Sequence, residues 1–201
     1  FRESPHLLVF GDAESGKTQT LRTLISGLAR GGSGEGAKFV LVDYRRTLLG
    51  LVDGEHLAGY ASSAQSAGPM MAQLGEYLRA RLPGEDVTAE QLASGEWWSG
   101  PVVHLVVDDY DLVATAMGNP LQPLLELLGH ARDIGFRVIL ARRSGGIGRA
   151  LFDQVIAGLR DLSCDVLLLS GDPDEGYIVG RHRMQKLPPG RGELISRARG
   201  G

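Results

Sequence analysis

Short apolar runs and amphipathic stretches alternate along the chain. His6-Leu7-Leu8-Val9-Phe10, Phe39-Val40-Leu41-Val42, Val102 to Val107, Phe136 to Ala141 and Val166 to Leu169 are almost wholly apolar. Runs of that length and composition predict strands buried on both faces. Between them the spacing is helical. Leu21, Leu24, Ile25 and Leu28 recur at helical intervals from Thr18, and Gly31-Gly32 ends that helix. Ala67, Met70, Met71, Leu74, Tyr77 and Leu78 predict a second helix, stopped near Pro83-Gly84. Leu121, Leu124, Leu125, Leu128 and Ala131 predict another, and Leu151, Phe152, Val155, Ile156 and Leu159 one more. Residues 31–36 read as a flexible glycine loop. The long connection 83–101 holds one short helical piece from Thr88 to Ala93, with Thr88-Ala89-Glu90-Gln91 as a capping box. A turn at Pro188-Pro189-Gly190-Arg191-Gly192 leads into Glu193-Leu194-Ile195.

Buried strands alternating with amphipathic helices define an α/β fold, a mostly parallel sheet flanked by helices. Ligands in such sheets bind at the carboxyl ends of the strands. Polar residues follow three of the predicted strands there, at Gly11 onward, at Asp43 and at Asp108-Asp109.

The first of these carries a motif. Gly11-Asp12-Ala13-Glu14-Ser15-Gly16-Lys17-Thr18 matches G-x-x-x-x-G-K-[ST] between a strand and a helix. Its glycines let backbone N–H groups wrap a phosphate at a helix N-terminus. Lys17 is placed to reach the β- and γ-phosphates of ATP, and the Thr18 hydroxyl to coordinate Mg²⁺. The fold is therefore expected to be a P-loop NTPase. Asp12 and Glu14 would raise the negative potential beside a polyphosphate, and they fit only if they point outward. A partner carboxylate for the metal is expected at the end of a neighbouring strand, and Asp108 fills that role. Asp109, next in line, takes the place of a water-polarising glutamate. It is one methylene shorter, and a misplacement on the order of 1 Å can cost ~100-fold in rate. ATP binding with slow hydrolysis is the expectation.

Composition narrows the partners. The 201 residues suit one domain, and 43% hydrophobic with 22% charged content is ordinary for a folded protein. No run approaches the roughly 18 apolar residues of a membrane helix. Phe1 to Pro5 lacks the shape of a signal peptide, and a lone cysteine, Cys164, favours a cytosolic setting. A net charge of −3 with scattered arginines (Arg142, Arg143, Arg181, Arg183, Arg191, Arg197, Arg199) gives no dense basic stripe, so nucleic acid is not expected as a partner. A small-molecule kinase would need an arginine-rich lid, and residues 83–101 contain no arginine. Trp97-Trp98 reads as a pair pinning the long connection to the core, and His104 as a core histidine.

With these residues in view, the chain resembles the FtsK/SpoIIIE-type ATPase domains, most closely the C-terminal ATPase domain of EccC-type motors of type VII (ESX) secretion. Beyond the P-loop, the resemblance rests on Val42-Asp43-Tyr44-Arg45-Arg46, Trp97-Trp98-Ser99-Gly100-Pro101 and Asp108-Asp109-Tyr110-Asp111. Ser170-Gly171-Asp172-Pro173-Asp174-Glu175-Gly176 and Leu187-Pro188-Pro189-Gly190-Arg191-Gly192 add to it. It implies a RecA-like core, one unit (residues 1–201) of a larger tandem-ATPase polypeptide, with neighbouring ATPase domains of the same motor as partners. It further implies placement on the cytoplasmic side of the bacterial membrane, membrane contact only through the parent polypeptide, and recognition of the C-terminal export signal of a WXG100-type substrate. The apolar run Leu48, Leu49, Leu51 and Val52 after Asp43 is a candidate pocket for that signal helix. A DNA-translocating ATPase of the same superfamily is the alternative. The chain departs from related translocases in having Asp109, and in reading Leu140-Ala141-Arg142-Arg143-Ser144 where an uncharged polar residue usually senses the γ-phosphate. Arg142, Arg143 and Arg160 are the candidates for an arginine finger, with ordinary surface roles the simpler reading of each.

Overall fold

The computed structural model describes residues 4–31 and 36–196, so the glycine loop expected at 31–36 falls largely outside the described residues, as do Arg197 and Arg199. Seven strands form one sheet in the order β3-β2-β4-β5-β1-β6-β9. They are β1 (His6–Gly11), β2 (Ala37–Val42), β3 (Leu57–Ala61), β4 (Val102–Val107), β5 (Phe136–Arg143), β6 (Asp165–Leu168) and β9 (Glu193–Ile195). All neighbours pair parallel except β9, which runs antiparallel to β6 at one edge. A two-stranded hairpin, β7 (Tyr177–Val179) with β8 (His182–Arg183), stands apart.

The period-2 geometry of a strand sends successive side chains to opposite faces, which is why the buried runs carry no polar face. Leu8, Phe10, Val40, Val42, Leu105 and Val107 join the core beneath α2 (Ala64–Arg79) and α6 (Gln154–Asp161). Leu7, Val9, Phe39, Leu41 and Val106 face the other way, onto Leu21 and Ile25 of α1 (Lys17–Arg30). The expected layered architecture is therefore present.

Four elements differ from expectation. β3 is not predicted by the pattern, because Leu57-Ala58-Gly59-Tyr60-Ala61 is an edge strand, mostly part-exposed, with small residues in place of an apolar run. The helix expected over Leu121 to Ala131 is a 3₁₀ run, Gln122–His130, entered through Pro123. The helix expected over Leu151 to Leu159 is broken. Leu151 and Phe152 fall in a turn after a separate short helix, α5 (Ile147–Ala150), and α6 starts only after Asp153, whose carboxylate accepts from the amides of Val155 (3.0 Å) and Ile156 (3.1 Å). Phe152 consequently lies exposed. Tyr77, read as a core position, is only half covered.

The long connection behaves as expected. Thr88 and Gln91 close a reciprocal capping box on α3 (Ala89–Ser94). Trp97 donates to the Arg81 carbonyl (2.8 Å) and Trp98 to that of Asp133 (2.6 Å). Buried Arg81 stacks under the Trp98 ring and over Tyr77, 4.2 and 4.7 Å from their centroids. It also donates to the carbonyls of Ile134 (3.0 Å) and Pro101 (3.0 Å). No helix among the described residues is long and apolar enough to cross a membrane.

Candidate nucleotide-binding site

The loop 11–18 leaves the carboxyl end of β1 and opens α1, as the motif requires. Its tight path has local causes. Gly16 sits at φ +103°, in the left-handed region that favours glycine. A side chain at Gly11 would collide with Ser15 Oγ. Glu14 is also left-handed (φ 59°) and points into solvent. Asp12 turns away from the loop: its carboxylate accepts from the Ser144 hydroxyl and faces Lys186 Nζ at 3.3 Å. Glu14 therefore points outward as expected, whereas Asp12 is part-buried and turns toward Ser144 and Lys186.

Lys17 is nearly buried, and its ammonium donates to the Asp12 carbonyl at 2.8 Å. No carboxylate pairs with it among the described residues. Ser15 Oγ is buried and has no hydrogen-bond partner among the described residues. A buried cation, an unused hydroxyl and a glycine-turned loop together suit a polyanion.

Asp108 ends β4, but β5 stands between β4 and β1, so its carboxylate comes from the next strand but one rather than from the neighbour. It nevertheless reaches the loop, since Thr18 Oγ1 donates to Asp108 Oδ2 at 2.8 Å. A hydroxyl and a carboxylate held together supply the hard oxygen donors that Mg²⁺ prefers. The two residues expected to serve the metal thus lie side by side, and the set fits an ATP·Mg²⁺ complex.

Asp109 occupies an unusual backbone conformation, φ 47°, at the start of α4 (Tyr110–Val113). Its carboxylate pairs with Arg45 Nε at 3.2 Å. Burial, then the adjacent Asp108 charge, push its carboxyl above the usual range, and Arg45 draws it partly back. Arg143, at the end of β5, pairs with Asp111 at 3.1 Å. Arg142 donates to the carbonyls of Arg143 (2.6 Å) and Gly145 (3.2 Å). Arg160 lies on α6, donating to the Leu151 carbonyl at 3.4 Å.

Several neighbours of the site escape motif reading. Ser144, fully buried, is the uncharged polar residue after β5, displaced beyond two arginines and engaged with Asp12. Buried Asp43 ends β2 and accepts from the Leu48 amide (2.6 Å) and the Tyr60 hydroxyl (2.7 Å). Burial and that bond push the Tyr60 phenol well above its ordinary range. Thr47 Oγ1 lies 3.0 Å from Asp108 Oδ2 and 3.3 Å from Asp43 Oδ1. The glycine turn near the C-terminus closes on the loop, Gly190 N donating to the Ser15 carbonyl at 2.9 Å. Of the candidate signal pocket, Leu48 is fully buried, Leu49 is 63% exposed, and Leu51 and Val52 are half-buried against the α1-side core.

Sheet, loop and motif together define a P-loop NTPase fold. The FtsK/SpoIIIE family model matches residues 1–126, and the chain belongs to that family. It is 52% identical over 198 residues to the ESX-4 secretion system protein EccC4 of Mycobacterium tuberculosis, covering 98% of this chain and 16% of that protein. Among solved structures it is similar to the cytoplasmic domain of the type VII secretion ATPase EccC of Thermomonospora curvata, at 44% identity and TM-score 0.93, over 98% of this chain and 23% of that one. The same organism's EccC, ATPases 2 and 3 in complex with a signal sequence peptide, matches at 44% identity and TM-score 0.94, over 100% of this chain and 36% of that one. The chain thus spans about a sixth of the curated relative's length.

Proposed function

We propose that this chain binds ATP with Mg²⁺ in the loop Gly11–Thr18, hydrolyses it slowly, and works as one unit of a type VII secretion motor. The carrying observation is the combination of a nearly buried Lys17 ammonium, which no carboxylate among the described residues contacts as an ion pair, with a preformed Thr18–Asp108 contact two strands away. When bound, the ion would neutralise charge on the phosphates. Lys17 would hold the β- and γ-phosphates, Thr18 and Asp108 would hold the metal, and Asp109 would face the attacking water. Slow turnover follows from Asp109, whose short carboxylate is already engaged by Arg45.

The rest of the reading draws on the relatives. The neighbouring units of the motor would come from the longer polypeptide of which this chain is a part, positioned at the cytoplasmic side of the membrane. The EccC structure that holds a signal sequence peptide supports recognition of a C-terminal export signal, here from a WXG100-type substrate. Leu49, with Leu51 and Val52 behind it, offers one apolar contact. A cavity of about 330 Å³ between the β3 edge and α2, lined by Val40, Ala58, Met70, Leu74 and Tyr77, offers a larger one.

Titration with a fluorescent ATP analogue, with Mg²⁺ and with chelator, tests the first half. Magnesium-dependent binding that Lys17→Ala abolishes is the expected result; binding indifferent to both would end the nucleotide reading. For the second half, a signal peptide is titrated against Leu49→Asp and Ala58→Asp. Affinity unchanged in both variants would remove these surfaces from the account.

A further inference from the structure

Two carboxylates are buried side by side at the carboxyl ends of adjacent strands. Asp43 follows β2 and Asp108 follows β4. Val42 pairs with Val107, and the Asp108 amide donates to the Val42 carbonyl at 3.0 Å. Buried carboxylates need donors on their lone pairs. Asp43 Oδ2 has two, the Leu48 amide and the Tyr60 hydroxyl. Thr47 stands between the acids, but one hydroxyl carries one proton. The shorter contact, 3.0 against 3.3 Å, and the donors already on Asp43 direct that proton to Asp108.

Thr47 is gripped from the other side as well. Arg22 Nη1 donates to its carbonyl at 2.7 Å. Arg22 lies four residues after Thr18 on α1, hence on the same helical face. One helix therefore touches the metal carboxylate directly through Thr18 and again through the residue that Arg22 holds. Asp108 then accepts from Thr18 and Thr47 on Oδ2 and from the Asp109 amide on Oδ1 at 3.0 Å. Of a carboxylate's roughly four acceptor positions, one remains, on Oδ1. Such a carboxylate is fixed in rotation, with one position left for a metal-bound water.

We propose that Thr47 is a positioning residue of the metal site. Its hydroxyl fixes Asp108 toward Thr18 and ties the turn 48–52 to the occupancy of that site. The inference rests on the nucleotide reading above and adds one residue to the same site. The tie is short: the residue after Thr47 is Leu48, whose amide binds Asp43 and whose side chain roots the exposed Leu49 turn in the core.

The test uses Thr47→Val, which keeps the shape and removes the proton, and Thr47→Ser, which keeps the hydroxyl. The readout is the ratio of ATP affinity with Mg²⁺ to that with chelator. Loss of a hydrogen bond to a charged acceptor should lower this ratio about tenfold or more in Thr47→Val, and Thr47→Ser should retain it. Amide exchange read over residues 48–52 should show protection on adding ATP and Mg²⁺ in the parent and in Thr47→Ser, and none in Thr47→Val. A ratio within twofold of the parent in Thr47→Val, or equal protection in it, would overturn the proposal while leaving the nucleotide reading intact. A parent chain with no magnesium-dependent gain would overturn both.

Discussion

His104 makes acid a specific threat to the strand that carries Asp108. The ring is buried in β4, tilted against Phe39 at 5.3 Å between centroids, and neither nitrogen has a hydrogen bond of normal geometry. Burial lowers its pKa from 6.5 to about 4, nearby Arg137 adds to the effect, and the Val102 carbonyl offsets a part. His6 on β1 is lowered to about 4 by burial in the same way, although its Nδ1 accepts from the Val138 amide at 3.1 Å. The sign follows from the folded state's refusal of the proton. Above pH 6.5 both states are neutral and nothing is lost. As pH falls from 6.5 toward 4, the unfolded chain takes up protons that the folded chain does not, and stability declines. At pH 5 each histidine accounts for about 2 kcal/mol of that loss. His104→Leu, of similar size, removes one of the two. Urea unfolding at pH 8 and pH 5 should then show a loss about 2 kcal/mol smaller in the variant than in the parent. Taking this difference cancels every other titrating group, Asp109 included. Equal pH dependence in both proteins would show that the burial argument for His104 is wrong.

Other outcomes follow from the same contacts. Asp109→Glu combined with Arg45→Ala restores the missing methylene and frees the carboxylate, so steady-state ATP hydrolysis should rise at least about tenfold; an unchanged rate would place the limit elsewhere. Arg81→Leu strips hydrogen bonds from the carbonyls of Ile134 and Pro101 and the cation from between two rings. It should cost about 3 kcal/mol in chemical denaturation and speed proteolysis within residues 83–101. Gly16→Ala forces a side chain into left-handed backbone, with its Cβ 3.1 Å from the Gly190 nitrogen. ATP affinity should fall about five- to thirtyfold, since roughly 1–2 kcal/mol of strain falls on the loop itself; wild-type affinity would mean that the loop does not hold the nucleotide.

What the sequence disclosed depended on how local its cause was. Buried strands announce themselves, because a run covered on both faces has no position for a polar residue; β1, β2, β4 and β5 were legible for that reason. The phosphate loop was equally legible, since its conformation is set within eight residues by Gly11, Gly16 and the helix behind them. The edge strand β3 was not, because Ala58 is exposed and Gly59 leaves room for the Met70 side chain, so the strand has no apolar run. Nor was the break before α6: the periodicity of Leu151 to Leu159 suits one helix, and only the Asp153 carboxylate, capping two amides, shows that the chain restarts there.

The site followed the same division. The placement of Lys17, Thr18 and Asp108 on one rim was readable because each sits at a fixed position after a strand. Thr47, Ser144 and Gly190 were not, because each acts through a partner more than forty residues away or through the backbone of a remote turn. In a parallel sheet every carboxyl end lies on one rim, so residues from β1, β2, β4 and β5 are brought together by topology and by nothing in their own neighbourhoods. That explains why Asp43 looked like a strand-ending acid and turns out to share a hydroxyl with Asp108. It also explains why the turn after Asp43, and not the arginines that end β5, joins Thr18 in hydrogen-bonding the Asp108 carboxylate. If nucleotide and peptide bind as proposed above, a short path from phosphate to surface would couple them. Here that path is Thr18, Asp108, Thr47 and the Leu49 turn, each link a contact of 3.0 Å or less or a peptide bond.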